Sequence, residues 1–230
     1  MPARASTTRR PGRPARLSRD AILDAGLELL ERAPREPLTL ARVAEEVEAV
    51  PAALYRHVGS HDELLDGVLG RVLAGLPLEI RRRARWPEQV RDWMTCVRNH
   101  LLRYPAVLPL IGRRGRTSPA WLDASAVLVE ILERAGLRDG ELARAHLWIQ
   151  ETTMGIVIQE ASLPLPEQIE AARASLGEGS EEARRRLAPL IPHYARIGAD
   201  AFFDFVAEQT LVALAALVEA PAVRPGRTAR

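Results

Sequence analysis

The chain has 230 residues, 47% of them hydrophobic and 27% charged, enough to bury a core and to form two domains. That excludes collagen, wholesale disorder and a disulfide-stapled miniprotein, and the single cysteine, Cys96, cannot close an internal bridge. The net charge of +2 hides an uneven layout, with six arginines and no acids over residues 1–19, three arginines and no acids over 221–230, and 30 acids against 23 arginines between them. An acidic body with a basic leading arm suits local contact with a polyanion. The N-terminal stretch lacks the apolar segment of a secretory signal. The longest purely apolar run, Leu211 to Val218, is far short of the roughly 20 residues of a membrane helix. The expectation is a cytoplasmic protein with no membrane span.

Residues 1–17 are rich in Arg, Pro, Ser, Thr and Ala without an apolar period, and read as a disordered basic arm. Ser18 then caps a helix over about 19–32, in which Ile22, Ala25 and Leu29 recur at helical spacing until Ala33-Pro34 ends it. Thr39 caps a two-turn helix marked by Leu40, Val43, Ala44 and Val47. Pro51, suited to a first turn because its missing N–H would have no partner there, opens a third helix continuing to Val58 and Gly59. Ser60-His61-Asp62-Glu63 reads as a capping box for a fourth helix through Leu73. Further helices open at Trp86-Pro87-Glu88, at Ser118-Pro119 with a Schellman-like end at Gly136-Leu137, and at Asp139, the last of these reaching Glu160. Residues 162–198, with their prolines and glycines, read as loop and short helical pieces, and a last helix runs over about 200–219. No strand pattern occurs, so the expected fold is all-α: an arm over 1–17, a three-helix helix-turn-helix domain over 18–66, a helical C-terminal domain over 67–220 and a disordered tail over 221–230.

A longer helix followed by two short ones across a tight turn is the geometry that lays one helix in the major groove. Many helical proteins contain such a pair, so the surrounding residues carry the argument. Leu38-Thr39-Leu40-Ala41-Arg42-Val43-Ala44-Glu45-Glu46-Val47, Ala53-Leu54-Tyr55-Arg56-His57-Val58 and Ser60-His61-Asp62-Glu63-Leu64-Leu65 closely resemble the DNA-binding domain of the tetracycline-repressor (TetR) family, over about residues 18–70. The resemblance implies a homodimer whose helix-turn-helix units bind a palindromic operator, while the C-terminal domain dimerises and holds a small-molecule inducer.

The side chains fit that expectation on their own chemistry. Tyr55 and His57 can reach phosphate oxygens, Thr39 can offer its hydroxyl and helix-start amides, and Arg56 can address a base edge or a phosphate. Pro51, Ala52 and Ala53 are small or apolar and would read thymine methyl groups by contact. Two positions depart from the family pattern. Glu48 stands where glycine usually makes the turn, and His61, a weaker cation, stands where lysine usually contacts phosphate. In the arm, Arg13 stands in a Gly-Arg-Pro core flanked by Arg10 and Arg16 that resembles an AT-hook, suited to a narrow minor groove; the alternative is a solubilising tail.

The segments Leu101-Leu102-Arg103-Tyr104-Pro105 and Ala135-Gly136-Leu137, with the 139–160 helix, resemble the family's C-terminal domain less specifically. Trp93, His100, Tyr104, Trp121, Gln150 and Met154 form the candidate inducer pocket, apolar walls with a few polar tips, though any helical core shares that description. The resemblance implies a histidine holding a drug-bound magnesium ion where this chain has the apolar stretch Ala106 to Ile111, which argues against magnesium-tetracycline as the ligand. The last helix is apolar on more than one face. Phe202, Val206, Leu211 and Leu214 are its candidate dimer contacts, the alternative being a helix wholly buried in a monomer. No catalytic, dinucleotide or phosphate-loop motif is present, so neither an enzyme, a cofactor nor a metal is expected. Three functions stay open: an operator-binding regulator, an architectural protein of A·T-rich DNA, and a helical enzyme or carrier with an incidental helix-turn-helix.

Overall fold

In the computed structural model, which describes residues 17–78, 80–81, 83–111 and 118–219, the described residues form helices and contain no strand. The arm arginines Arg10, Arg13 and Arg16 and the tail over 221–230 lie outside them. Hydroxyl caps set the helix starts. Ser18 Oγ accepts the Ala21 N–H (3.2 Å) to open α1 (Arg19–Arg32), and Thr39 Oγ1 accepts the Arg42 N–H (3.3 Å) to open α2 (Leu40–Glu46). α3 (Pro51–Leu54) carries its proline in the first turn, and Ser60 Oγ accepts the Glu63 N–H (3.0 Å) to open α4 (His61–Ala74). The Ser60 half of the expected capping box forms, while Oε1 of Glu63 faces Arg19 at 3.5 Å.

α1 and α4 cross closely. A Cβ on Gly26 would lie 2.7 Å from Val68 Cγ2, and one on Gly67 would lie 2.6 Å from Leu23 Cδ2, so glycine on each helix permits the contact. Against this pair pack Val43 and Ala44 of α2, with Leu54 and Val58 fully buried beneath the third helix. Each of those two side chains contributes about 1.5–3 kcal/mol of burial. The third helix is shorter than expected: α-helical geometry ends at Leu54, and turn bonds from His57 N–H (2.8 Å) and Val58 N–H (3.0 Å) to Leu54 O carry the chain to Gly59.

The turn after α2 is a Schellman ending, with Ala49 N–H bonded to Ala44 O (2.8 Å) and Glu48 N–H to Glu45 O (3.1 Å). It requires positive φ at Glu48, which sits at 52°, a conformation costing a non-glycine residue roughly 1 kcal/mol. Glu48→Gly is therefore expected to raise stability by about 0.5–1 kcal/mol in urea unfolding. A loss of stability would show that the glutamate makes a contact worth more than its strain.

The second domain is organised around α5 (Trp86–Leu101), which buries Val90, Trp93, Met94, Val97 and Leu101 against α6 (Pro119–Arg134), α7 (Asp139–Ser162) and α11 (Ala199–Glu219). α6 ends in the expected Schellman motif, with Gly136 at φ 106° and Leu137 N–H bonded to Leu132 O (3.1 Å). Between α7 and α11 the chain is more helical than the sequence reading: α8 (Leu165–Leu176) has 12 residues, followed by α9 (Glu181–Leu187) and the short α10 (Ile191–Tyr194). Pro166 lies in the first turn of α8, where a missing N–H costs nothing, so it starts a helix and does not break one. The boundary expected at 66/67 falls inside α4, which runs unbroken to Ala74 and packs on both α1 and α6.

α11 is long and apolar enough by composition to cross a membrane, which the short apolar run in the sequence did not suggest. Its Asp200 pairs with Arg98, and its Asp204 and Glu208 pair with Arg91, both on α5, while Phe203, Ala207, Thr210 and Leu214 are buried against α5 and α7. On the opposite face Phe205 and Val212 are exposed, with Phe202 exposed at its flank. This is a core helix with a second, uncovered apolar face.

Candidate nucleic-acid interface and regulatory cleft

With Leu54 and Val58 turned inward, Val50, Pro51, Ala52, Tyr55 and Arg56 are left on the outside of the third helix, while Ala53 and His57 are half-buried. Val50 is 66% and Tyr55 52% exposed. The Arg56 side chain has no hydrogen bond or ion pair among the described residues, so its guanidinium is unspent. Thr39 uses an oxygen lone pair for its cap, which leaves the hydroxyl hydrogen to donate.

His61 is placed differently from a free phosphate contact. Its Nε2 lies 2.7 Å from Leu38 O and donates to it, tying the start of α4 to the residue before the Thr39 cap. Nδ1 and the helix-start amide are what remain for DNA. The arm joins at Leu17 and Ser18 beside the same helix start, as the Arg19–Glu63 pair shows. The arginines between the domains are partly committed: Arg81 forms a two-point pair with Asp92 (both 2.8 Å), and Arg85 faces Glu88 at 3.5 Å.

The six candidate pocket residues fall into two groups. Trp93 is fully buried, donates its Nε1–H to Ala124 O (2.9 Å) and stands 6.0 Å from the Trp121 ring; Gln150 donates to Ser125 Oγ (2.5 Å) on the same stretch of α6. Met154 lies one turn further along α7. His100 and Tyr104 belong elsewhere, at the seam between the domains. Their rings are 5.4 Å apart, His100 Nε2–H donates to Val72 O of α4 (2.7 Å), and Tyr104 OH donates to Glu31 of α1 (3.0 Å). Both Glu31 and Val72 are partners that the sequence reading missed, since nothing local marks a contact 73 or 28 residues away. At this seam a cleft of about 800 Å³ opens between the end of α1 and the second domain, and Tyr104 is the one candidate pocket residue that lines it.

Of the candidate dimer contacts, Phe202 is exposed and Val206 and Leu211 are partly so, but Leu214 is fully buried in its own subunit. The helical period explains the difference: Leu214 lies 11 residues, three turns, from Phe203 on the inward stripe. Phe205 and Val212 take its place on the outward one.

Burial lowers the pKa of His100, with the Arg103 charge adding to it, and burial lowers that of His146. His100 Nδ1 and His146 Nε2 are buried without a hydrogen-bond partner among the described residues. An unfolded histidine binds its proton near the ordinary value of 6.5, the folded ones only below it, so in that window the unfolded chain holds more protons and stability rises with pH. This contribution is present above 6.5 and is lost as pH falls below it. Tm is expected to drop between about pH 7.5 and 5.5, and to drop less in the double variant His100→Gln, His146→Gln. An equal drop in both proteins would remove the histidines as its cause.

A helix-turn-helix set on a larger helical body, with a cleft at the joint, defines the chain as a DNA-binding regulator of the helix-turn-helix class. Residues 22–68 match the family model for bacterial regulatory proteins of the tetR family, and residues 81–213 match the tetracyclin repressor-like C-terminal domain. The chain belongs to the TetR family of transcriptional regulators. A relative from Saccharopolyspora erythraea, described as an HTH-type transcriptional regulator, is 26% identical over 202 residues, covering 87% of this chain and 85% of the relative. Among solved structures, apo ActR of Streptomyces coelicolor superimposes with a TM-score of 0.72 at 23% identity, covering 89% of this chain and 97% of ActR. ActR has also been solved in complex with actinorhodin. BioQ, solved with its double-stranded DNA operator, gives a TM-score of 0.61 at 20% identity over 87% of this chain and 99% of BioQ. These two likenesses concern the fold.

Proposed function

We propose that this regulator is a cytoplasmic homodimeric repressor, without enzymatic activity, that leaves a palindromic operator when a small-molecule inducer binds its C-terminal domain. The observation that carries the reading is the outward face of the third helix: Tyr55 and an unspent Arg56 beside small apolar groups, held rigid by two fully buried residues. Pro51, Ala52 and Ala53 supply methyl-contact readout, Thr39, His57 and the start of α4 at His61 hold the phosphates, and Arg10, Arg13 and Arg16 of the arm reach the adjacent minor groove. The uncovered face of α11 around Phe205 and Val212, with Phe202 and the partly exposed Val206 and Leu211 at its edges, pairs with its copy across a two-fold axis.

In this reading residues 18–66 bind DNA and 67–220 dimerise and hold the inducer, with α4 shared between them and His100 and Tyr104 transmitting the change. An inducer among Trp93, Trp121, Gln150 and Met154 would favour a dimer whose recognition helices are wrongly spaced, with a coupling of about 1–3 kcal/mol. The operator held by BioQ and the actinorhodin held by ActR support the two halves of this reading. The test is titration of an enriched duplex by fluorescence anisotropy. Arg56→Ala is expected to weaken binding by about 1–3 kcal/mol without unfolding the protein, and Tyr55→Phe by less. Deletion of residues 1–16 should flatten the salt slope. Unchanged affinity in both point variants would remove the third helix as the reader.

A further inference from the structure

The cleft at the domain seam has two walls. One is Glu31 and the 33–36 loop of the DNA-binding unit; the other is the 102–105 segment after α5, the end of α7, the first turn of α8 and Ala199. Its volume, about 800 Å³, is that of a small-molecule site. Most charged groups lining it are already engaged: Arg32 with Glu46, Glu36 with Arg42, Glu160 with Arg98, and Glu31 with the Tyr104 hydroxyl. Two are not. Arg35 on the first wall and Arg103 on the second are exposed and form no ion pair among the described residues. The Arg103 guanidinium lies over the Tyr104 ring, 5.5 Å from its centroid. The same lining also offers apolar surface, from Pro34, Leu102, Pro105, Pro164 and Leu165.

We propose that this cleft binds a small organic anion with an apolar body, distinct from a ligand in the interior between α6 and α7. A carboxylate or sulfonate can take forked hydrogen bonds from both guanidinium groups, while its ring or chain displaces water from the proline and leucine surface. An inorganic anion would gain only the first contribution, and a neutral apolar molecule only the second. Because Arg35 moves with the DNA-binding unit and Arg103 with the regulatory one, an anion held by both fixes the angle between them. It does so beside the Tyr104–Glu31 bond, which already spans the seam. This regulatory half rests on the operator-binding reading; the binding half does not.

The probes are 2-naphthoate and its neutral counterpart 2-naphthylmethanol, titrated calorimetrically into the full chain without DNA. Naphthoate is expected to bind once per chain and about tenfold more tightly than the alcohol, and the double variant Arg35→Gln, Arg103→Gln to lose that preference with Tm unchanged. A preference retained in the double variant overturns the site, as does the absence of saturable binding. A preference lost instead in Gln150→Ala would place the anion between α6 and α7 and overturn it too. Naphthoate is then added to the protein on its selected duplex. A shift of about fivefold or more in duplex affinity, absent from the double variant, supports the coupling, and binding without a shift overturns that half alone. Failure to bind any duplex would leave the calorimetric result intact and count against the regulator reading.

Discussion

Replacing Arg98 by alanine is expected to destabilise the folded chain by about 3–5 kcal/mol, the usual cost of removing one partner of a buried ion pair. The Arg98 side chain is 8% exposed and holds Glu160 by two parallel bonds, from Nε (2.8 Å) and Nη2 (2.6 Å), with Asp200 at 2.8 Å. Its guanidinium also covers the Phe203 ring at 4.8 Å. One side chain thereby joins α5, α7 and α11. Its pKa is raised, chiefly by the bond to Glu160. The damage comes from what remains. The Glu160 side chain, 15% exposed, would be left nearly buried without its partner, whereas Asp200, already exposed, would turn to water at little cost. The double variant Arg98→Met, Glu160→Leu should recover much of the loss in urea unfolding; a double variant no better than Arg98→Ala would show that packing on Phe203 carried the effect.

Phe205→Arg combined with Val212→Arg is expected to convert the protein to monomers and to weaken operator binding by more than about 100-fold, because two half-sites held by one dimer bind with an effective concentration a monomer lacks. The two residues are 60% and 59% exposed, lie seven positions apart on one face of α11, and make no contribution to the subunit's own core. A guanidinium on each would place like charges across a two-fold axis. Sedimentation reads the assembly state and anisotropy the affinity. A dimer that persists with both arginines in place would put the interface on another surface.

Much of the helix layout was legible because capping is local. Ser18, Thr39, Ser60 and Ser118 each accept the N–H three residues on, so a hydroxyl before an apolar run marked a true helix start. The same locality explains the failures. Prolines between α7 and α11 were read as breaks, yet a proline in a first turn is compatible with a helix, and only the following Glu167 to Leu176 shows which case applies. Leu214 was read as outward because α11 is apolar on more than one face, and such a helix does not tell which of its faces meets its own core. The recognition face was visible as a segment, but its rigidity rests on the full burial of Leu54 and Val58 and on α3 packing against α2, a tertiary matter. Least legible was the seam. Tyr104 and Glu31 are ordinary residues in sequence, joined only by the packing of one domain on the other. Arg98 carried a signal that could have been used: a charge on the stripe of α5 that also holds Met94, Val97 and Leu101.

The central claim is that a pair of these chains reads DNA as a two-fold object. Selection of bound duplexes from a random library at near-physiological salt, followed by sequencing, tests it most directly. The account predicts an enriched palindrome with half-sites about one helical turn, or a multiple of it, apart, lost in Arg56→Ala. Enrichment of A·T content without a palindrome would contradict it in favour of arm-driven architectural binding, and no enrichment at all would contradict it outright.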